Sequence, residues 1–336
     1  MTAETWALSE WTVRSAAPWA GRRTGPSAPR LRSDVEGGPA ERHEGSRTAV
    51  DCSAQSVASS AIVTEHDFLA LAPQYTTTSE LLSMSAHRRG MDVDVLPAHG
   101  GVGTAMGRRG GHYYGGPAFA TRVVDALEVA LLEPSDDWLA TLPREYTGRR
   151  IAMATLGEAC CLSRPAFVKP PSDKSFPAAV YASGSCLPTR PELSLDVPVQ
   201  ISDVVTWAAE FRLYLLDGEV RTGSQYATFG RLDAERLDGH RYEDAVLEFA
   251  DDLLATCGDG LPSAVVVDVG LLAAPEHGAA DQWAVVEANM AWFSNCYAAD
   301  PDRVLDVVLR SAGPRAQMAE RDRRFCQNIE DAHLAG

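Results

Sequence analysis

The stretch AFVKPPSDKSFPAAVY, residues 166–181, contains both lysines of the chain, Lys169 and Lys174. Arginine makes up the other 28 of the 30 basic residues. A lysine ammonium is a compact charge on a slim stem, and it binds phosphate where the planar guanidinium of arginine is too bulky. Two neighbouring lysines in a chain that otherwise uses arginine therefore indicate a phosphate-binding segment, with chance clustering as the alternative.

Short apolar runs bounded by Pro, Gly and Ser surround this stretch and are typical of strands. They occupy 165–169, 178–182, 197–205, 210–216, 219–224, 263–272 and 282–289. Asp217-Gly218 predicts a tight hairpin turn between the fourth and fifth runs. Apolar spacing predicts a helix over 242–256, ending at Gly258, and another over 302–310.

A glycine-rich segment, residues 99–116, precedes these strands in the chain. It contains Gly101 and Gly103, but Met106 stands at the third glycine of a dinucleotide fingerprint, so a dinucleotide-binding fold gains little support. We predict loops there. On either side the patterns predict strands over 61–65 and 91–96, helices over 79–89 and 117–130, and a short helix capped by Ser135.

The two ends of the chain have weak patterns. Residues 1–60 contain six Val, Leu, Ile or Phe residues against 33 Ala, Gly, Ser, Thr or Pro residues. Such a segment cannot bury enough apolar surface to offset its ordering entropy, which predicts a disordered low-complexity tail. The polar composition of residues 311–336 predicts a C-terminal helix or tail. The seven cysteines form no CxxC pair, which favours reduced thiols in a cytoplasmic protein.

Composition limits the possible partners. A chain of 336 residues suits two domains, or one large α/β unit with an appendage, and 45% apolar residues allow a sizeable core. The net charge of −16 argues against nucleic acid, because phosphate neutralisation needs clustered Lys and Arg. No apolar run approaches the roughly 18 residues that a membrane span requires. We therefore expect no nucleic-acid or membrane partner.

Polar residues interrupt two of the apolar strands. Asp268 follows three valines in VVVDVG, and Glu287 and Asn289 lie in VVEAN. Residues i and i+2 of a strand project from one face, so Glu287 and Asn289 should point together. Carboxylate and amide oxygens are ligands that Mg²⁺ accepts, with substrate phosphates completing its shell. The sequence thus predicts a magnesium site; the alternative is that both acids end strands in solvent.

The order of these motifs resembles the ATP-grasp superfamily, in particular its clade marked by one arginine and two lysines. The resemblance rests on residues 166–181, 202–220 (SDVVTWAAEFRLYLLDGEV), 265–270 and 283–297 (WAVVEANMAWFSNCY), and on 113–143 before them. It implies an α+β protein with an ATP-grasp fold, two α+β subdomains that clasp ATP, preceded by a small α/β N-terminal domain. The implied boundaries are 61–150 and 151–310.

The resemblance also implies ATP and Mg²⁺ as cofactors and a role for individual positions. Those positions are Lys169 and Lys174 on the phosphates, Asp203, Val204 and Val205 at the adenine, Glu210 on the ribose, and Asp268, Glu287 and Asn289 on Mg²⁺. Arg212 matches the marker arginine and would act in catalysis with Lys174. The alternative for Arg212 is an ion pair with a neighbouring strand.

The implied activity is ATP-dependent ligation of a small-molecule or peptide carboxylate to an amine, through an acyl phosphate, with release of ADP and phosphate. Lys, Arg and Mg²⁺ would neutralise the charge that spreads over the phosphoryl oxygens. The alternatives are a kinase-like phosphotransferase and a non-catalytic ATP-binding regulatory module.

The sequence departs from the family pattern in two places. Pro170-Pro171-Ser172-Asp173 follows the first lysine where many members have a glycine-rich mobile loop, so the resemblance does not extend to a lid over the phosphates. Val266 stands where related ligases often place an arginine, and Arg212 is expected to replace it in space. Candidates for an acceptor pocket, each with packing or surface as the alternative, are Arg221, Tyr226 and Tyr297.

Overall fold

The computed structural model describes residues 67–100, 111–171, 175–188, 190, 193–273 and 281–326. The strands are β1 (Phe68–Leu71), β2 (Asp92–Val95), β3 (His112–Tyr114), β4 (Val129–Leu131), β5 (Ile151–Thr155), β6 (Ala166–Lys169), β7 (Ala179–Tyr181), β8 (Pro198–Ser202), β9 (Trp207–Leu216), β10 (Glu219–Thr228), β11 (Arg231–Arg236), β12 (Ala264–Leu272), β13 (Gln282–Asn289) and β14 (Ala312–Pro314). The helices are α1 (Thr77–Arg88), α2 (Pro117–Ala120), α3 (Val124–Leu127), α4 (Trp138–Thr141), α5 (Arg144–Thr147), α6 (Leu156–Ala159), α7 (Glu243–Cys257) and α8 (Pro301–Ser311).

Three sheets organise these elements. A parallel sheet has the order β2-β1-β3, an antiparallel sheet has the order β5-β8-β6-β7, and a second antiparallel sheet has the order β11-β10-β9-β12-β13. A two-stranded pair, β14-β4, joins the C-terminal segment to the N-terminal part. The chain passes from the four-stranded to the five-stranded sheet through residues 203–206, between β8 and β9.

The predicted hairpin between β9 and β10 is confirmed. Asp217 and Gly218 have φ angles of +52° and +86°, and Leu216 pairs with Glu219 across the turn. Left-handed backbone at both central positions gives a turn whose twist matches that of the strands, and Asp and Gly are the residues that tolerate it. The turn fixes the register of the β9–β10 pair, and on the other edge of β9 Arg212 lies opposite Asp268 of β12.

The five-stranded sheet has two different faces. Phe211, Val267 and Val269 are buried in a cluster with residues of α7. On the opposite face Tyr214 and Val266 are buried in a cluster with residues of α8 and of β1. Because side chains alternate along a strand, Glu210, Arg212 and Asp268 also belong to this second face. One face of the sheet is thus apolar and packs against α7. The other face carries the polar side chains next to the buried Tyr214 and Val266.

The N-terminal part differs from the prediction. The helix predicted over 117–130 is wrong: the segment forms the single turns α2 and α3 and then β4, and left-handed Glu128 (φ +54°) separates α3 from β4. Residues 112–114, predicted as loop, pair with β1. Ser135 does not cap α4, because Asp137 occupies the N-cap position. The strand predicted over 61–65 and the tail predicted over 1–60 lie outside the described residues.

The C-terminal segment also differs from the prediction. A polar helix over 311–336 is wrong for residues 312–326, which form β14 and two 3₁₀ helices, Arg315–Gln317 and Glu320–Phe325. Asp322 is buried there, and its carboxylate accepts hydrogen bonds from the backbone amide and hydroxyl of Ser263. Within the described ranges, no helix has the length and apolar character needed to cross a membrane.

Candidate functional site

An ion pair joins the four-stranded and five-stranded sheets. Lys169 is the last residue of β6, and its Nζ donates to Oε2 of Glu287 on β13 at 2.7 Å. The side chains of Lys169 and Glu287 are 11% and 14% exposed. Burial acts to raise the pKa of Glu287, but the Lys169 ammonium and the Asn289 amide outweigh it and lower that pKa to about 2. The Glu287 carboxylate is therefore ionised at neutral pH and pairs with an ammonium.

A second ion pair lies on the same face of the five-stranded sheet. Arg212 donates from Nε to Oδ1 of Asp268 at 2.9 Å and from Nη2 to Oδ2 at 2.7 Å. Asp268 is fully buried, and the two residues are register partners across β9 and β12. Burial acts to lower the pKa of Arg212, but the Asp268 carboxylate outweighs it and holds that pKa well above its usual value. The pair is bidentate and ionic.

The amide of Asn289 connects the two pairs. Its Nδ2 donates to Oε1 of Glu287 at 3.0 Å and lies 3.4 Å from Oδ2 of Asp268. Asp268 and Glu287 are register partners across β12 and β13. The predicted common face of Glu287 and Asn289 is present, and three oxygen-bearing side chains meet in one place.

These three side chains fit a magnesium ion under two conditions. Asn289 must turn its amide so that Oδ1 rather than Nδ2 faces the carboxylates, because a metal ion needs an oxygen donor. Substrate oxygens must supply the remaining ligands, since no group of three or more His, Cys, Asp or Glu side chains suited to a metal occurs in the described part of the chain. Magnesium commonly keeps few protein ligands and takes others from phosphates and water.

The predicted adenine segment lies in the connection between β8 and β9. The Asp203 carboxylate accepts hydrogen bonds from the Arg150 backbone amide at 3.1 Å and from Arg164 Nη1 at 3.2 Å. Its side chain thus anchors the connection to residues that flank the four-stranded sheet. Val204 is 47% exposed, and Val205 follows it in the same connection.

Glu210 lies two residues before Arg212 on β9, and its Oε2 accepts a hydrogen bond from the Tyr226 hydroxyl at 2.9 Å. Burial raises the pKa of Glu210 to about 7, and the charges of Asp268 and Glu287 add to this effect. The Tyr226 hydrogen bond and the Arg149 charge act in the opposite direction. The environment of Glu210 therefore favours the protonated form of its carboxyl.

A Glu210→Gln variant should be more stable than the wild type above pH 7, by about 3 kcal/mol, because the pKa is raised from 4.5 to about 7 and one pKa unit corresponds to about 1.4 kcal/mol. The folded protein binds this proton more tightly than the unfolded chain, whose glutamate has a pKa near the ordinary 4.5. Wild-type stability should fall as pH rises from about 4.5 to 7 relative to the variant, and the difference should vanish below that window. Urea unfolding at pH 4.5 and 8 measures it; an equal difference at both values would contradict it.

The structure separates the predicted acceptor residues. Tyr226 and Tyr297 lie beside Arg212, whereas Arg221 pairs with Asp306 at the surface, Nη2 to Oδ2 at 3.1 Å. The surface ion pair with Asp306 thus accounts for Arg221, and Arg221 is not part of the cluster around Arg212. Lys174 lies outside the described residues, so its predicted phosphate and catalytic roles remain predictions.

Sequence reasoning missed Arg149, which is buried next to the cluster. Its guanidinium donates to the Val285 and Val286 carbonyls at 2.8 and 3.0 Å and lies 5.0 Å from the Trp207 ring centroid. Burial lowers its pKa to about 10. A Cβ on Gly270 would lie 2.6 Å from Trp207, so the glycine allows the ring to pack against β12. No local motif marks Arg149, because its partners are backbone carbonyls, that of Thr147 nearby and those of Val285 and Val286 far along the chain.

A cleft open to solvent lies beside Lys169, Glu287 and Asn289. The segment before α4 contributes Glu133 to the same cleft, and Gln200 of β8 also lines it. Burial raises the pKa of Glu133 to about 7, and the Asp136 charge adds to the shift. The cleft thus brings together residues that precede β5 with residues of both antiparallel sheets.

Three solved structures illustrate what the chain is similar to. The ATP-grasp ligase PsnB complexed with minimal precursor is 14% identical, with 73% of this chain and 99% of that chain covered and a TM-score of 0.41. D-alanine–D-alanine ligase from Bacillus anthracis is 10% identical, with 73% and 97% covered and a TM-score of 0.44. Carboxyaminoimidazole ribonucleotide synthase from Aspergillus clavatus complexed with ATP is 12% identical, with 72% and 77% covered and a TM-score of 0.48.

The comparison with curated protein sequences finds no match to this chain. Residues 146–307 match a family model described as an ATP-grasp domain, the second family of the clade named for one arginine and two lysines. This range contains both ion pairs and Asn289, and it begins just before β5 and ends within α8. The predicted superfamily and the predicted α+β ATP-grasp fold are confirmed, and residues 146–307, just under half of the chain, match an ATP-grasp domain.

Proposed function

We propose that this protein is an ATP-dependent carboxylate–amine ligase that forms an acyl phosphate and releases ADP and phosphate. One observation carries the proposal: Lys169 and Arg212 meet Asp268, Glu287 and Asn289 in a single buried cluster beside a cleft. Two cations and three oxygen-bearing groups are what a metal-bound triphosphate requires. The matched ATP-grasp family supports an ATP-dependent ligase.

We assign the nucleotide contacts as the family resemblance implies. Lys169 and Lys174 bind phosphate oxygens, the backbone of 203–205 binds the adenine, and Glu210 binds the ribose hydroxyls. Asp268, Glu287 and Asn289 hold Mg²⁺, which neutralises phosphate charge when bound. In the same proposal residues 151–310 form the nucleotide-binding and catalytic domain, and residues 61–150 form the domain before it.

The residues of the cluster act by charge. A carboxylate oxygen of the donor attacks the γ-phosphorus, the bond to ADP breaks, and an acyl phosphate results. The amine then attacks the acyl carbon, loses a proton and displaces phosphate, which leaves an amide. Arg212 and Lys169 stabilise the negative charge on the phosphoryl oxygens, and because both side chains are only 11% exposed, each contact is stronger than in water. No protein nucleophile is required.

The observed ion pairs imply an exchange of partners when substrates bind. Lys169 is bonded to Glu287 and Arg212 to Asp268, although the proposal gives the two acids to the metal and the two cations to phosphate. Unpaired buried charges are costly, so metal and nucleotide should bind together rather than singly. The metal neutralises the two carboxylates that the cations release, and the nucleotide phosphates neutralise the two cations that the carboxylates release.

We further propose small-molecule or peptide carboxylates and amines as the substrates. The net charge of −16 favours neutral or cationic amines over polyanions. Cytoplasmic location is proposed from the cysteine pattern of the sequence.

Product analysis tests the function. The purified protein is incubated with ATP, Mg²⁺ and pooled carboxylates and amines, and we expect ADP and phosphate in amounts that depend on the amine. Formation of AMP and pyrophosphate would contradict the acyl-phosphate route. A stable phosphorylated product without amide would identify a kinase-like phosphotransferase, and nucleotide binding without turnover would identify a regulatory module.

A further inference from the structure

Tyr297 has a backbone conformation that is rare for a bulky side chain. Its φ angle is +48°, in the left-handed region. An aromatic residue adopts this region only where its surroundings enforce it, and such residues concentrate at functional sites. The residue lies in the segment between α8 and β13, the strand that carries Glu287 and Asn289.

Hydrogen bonds from distant elements fix the backbone on both sides of Tyr297. The Cys296 amide donates to Oγ1 of Thr78 on α1 at 3.1 Å, and the Ala298 amide donates to Oγ of Ser224 on β10 at 3.1 Å. Ser224 is fully buried. The conformation at Tyr297 is therefore set by α1 and β10 together.

The same segment is anchored at both of its ends. The Ser294 carbonyl accepts hydrogen bonds from the hydroxyls of Tyr114 and Tyr214, at 3.2 and 2.9 Å. The Asp300 amide donates to Oγ1 of Thr222 at 3.1 Å. Strain at one residue persists when neighbouring contacts over-determine it in this way.

The fixed backbone places the Tyr297 ring against Arg212. The rings of Tyr297 and Tyr226 stack with centroids 5.2 Å apart and planes inclined by 15°. The guanidinium carbon of Arg212 lies 5.3 Å from the Tyr297 centroid and 5.6 Å from the Tyr226 centroid. Both distances are within the range of cation–π attraction.

The two rings restrain Arg212 independently of Asp268. Nε and Nη2 of Arg212 are used by Asp268, and Nη1 lies 3.5 Å from the Asn295 carbonyl. In the proposed function Asp268 also serves the metal, so the ion pair cannot be the sole restraint during the reaction. The contacts of Arg212 with the Tyr226 and Tyr297 rings do not depend on whether Asp268 binds Arg212 or the metal.

We propose that Tyr297 is a positioning residue, which holds the Arg212 guanidinium at the place where phosphoryl charge develops. The proposal rests on the proposed ligase function, because it gives Arg212 a task in phosphoryl transfer. Tyr226 shares the stack but differs in one respect: its hydroxyl also holds Glu210, which the proposed function assigns to ribose. Ring and hydroxyl therefore affect different kinetic parameters.

Kinetic analysis of four variants tests the proposal. Tyr297→Asn removes the ring but tolerates left-handed backbone, and it should lower kcat about tenfold with the KM for ATP within about twofold of wild type. Tyr297→Phe restores the ring and should restore kcat. Tyr226→Phe keeps the ring and should instead raise the KM for ATP. Phe229→Asn is the control, because Phe229 also has left-handed backbone (φ +47°) and is an exposed residue of the turn between β10 and β11.

Unchanged kcat in Tyr297→Asn would overturn the proposal, and so would failure of Tyr297→Phe to restore it. Equal losses in Tyr297→Asn and Phe229→Asn would also overturn it, because both losses would then reflect the backbone change. Thermal unfolding of each variant shows whether a loss of kcat reflects a loss of folded protein.

A measurement without turnover separates this proposal from the proposed function. The Nε–H signal of Arg212, assigned with ¹⁵N-arginine and an Arg212→Lys variant, should show a ring-current shift and slow exchange with water in wild type and in Tyr297→Phe. The part of the ring-current shift that the Tyr297 ring contributes should be lost in Tyr297→Asn, whereas the slow exchange, which the hydrogen bond to Asp268 supports, should remain. If they follow this pattern while no substrate pair releases ADP, the ligase proposal fails and the placement of Arg212 stands. If ADP is released but the signal is equal in all three proteins, the positioning proposal fails.

Discussion

An Asp268→Asn variant is expected to lose about 3–5 kcal/mol of its free energy of unfolding, because it leaves the Arg212 guanidinium buried without a counter-charge. Asp268 is fully buried, and the Arg212 side chain is 11% exposed. Removal of one partner of such a pair costs more than the pair itself contributes, since the remaining charge has lost its hydration. Urea unfolding followed by tryptophan fluorescence measures the loss.

Two further variants give this prediction its controls. The double variant Arg212→Met/Asp268→Leu replaces the pair with apolar groups of similar size and should recover stability to within about 1.5 kcal/mol of wild type. It should have no ligase activity. Asp238→Asn breaks the exposed pair with Arg303 and should cost less than about 1 kcal/mol. Equal losses in Asp268→Asn and Asp238→Asn would contradict the interpretation of the Arg212 pair as buried and ionic.

Lys169→Met is expected to change metal and nucleotide binding in opposite directions. Without the ammonium, Glu287 becomes a partly buried carboxylate without its cation, and the affinity for Mn²⁺ alone should rise about tenfold. Nucleotide loses a charged phosphate contact, and its affinity should fall about 10- to 100-fold, which corresponds to roughly 1.5–3 kcal/mol. Electron paramagnetic resonance of free Mn²⁺ measures the first effect and calorimetry with AMPPNP the second.

Arg221→Met is the matched control for Lys169→Met, because it removes a basic side chain that pairs with Asp306 at the surface. Both affinities should remain at the wild-type values in this control. A site in which Lys169 contacts nucleotide without restraining Glu287 would show weaker nucleotide binding but unchanged Mn²⁺ binding. That result would rule out the exchange of ion-pair partners.

The strands that carry the site could be predicted because their signals are local. Three valines before Asp268 and the alternation around Glu287 indicate buried strands and a shared face, and the Gln282–Asn289 bounds agree with the predicted range. The meeting of Arg212 with Asp268 depends on the register between β9 and β12, which no local turn signal reports. Val266 stands where related ligases often have an arginine, and Arg212 is predicted to take the place of that arginine in space. The contact between Arg212 and Asp268 is compatible with this prediction.

The features that could not be predicted depend on distant partners. The conformation of Tyr297 is set partly by Thr78, more than 200 residues earlier, and no local pattern reports such a contact. Arg149 binds backbone carbonyls of β13, which have no residue signature. The helix predicted over 117–130 fails because the left-handed Glu128 ends an apolar segment whose side chains are buried in tertiary contacts.

Crystals grown with AMPPNP and Mn²⁺ offer the sharpest test of the proposed site, because anomalous scattering locates the manganese directly. We expect a peak bonded to oxygens of Asp268, Glu287 and Asn289, with the Lys169 ammonium moved from Glu287 to a phosphate oxygen. A manganese peak away from these side chains, or phosphates beyond the reach of Lys169, would show that the two ion pairs are structural and that the nucleotide binds elsewhere.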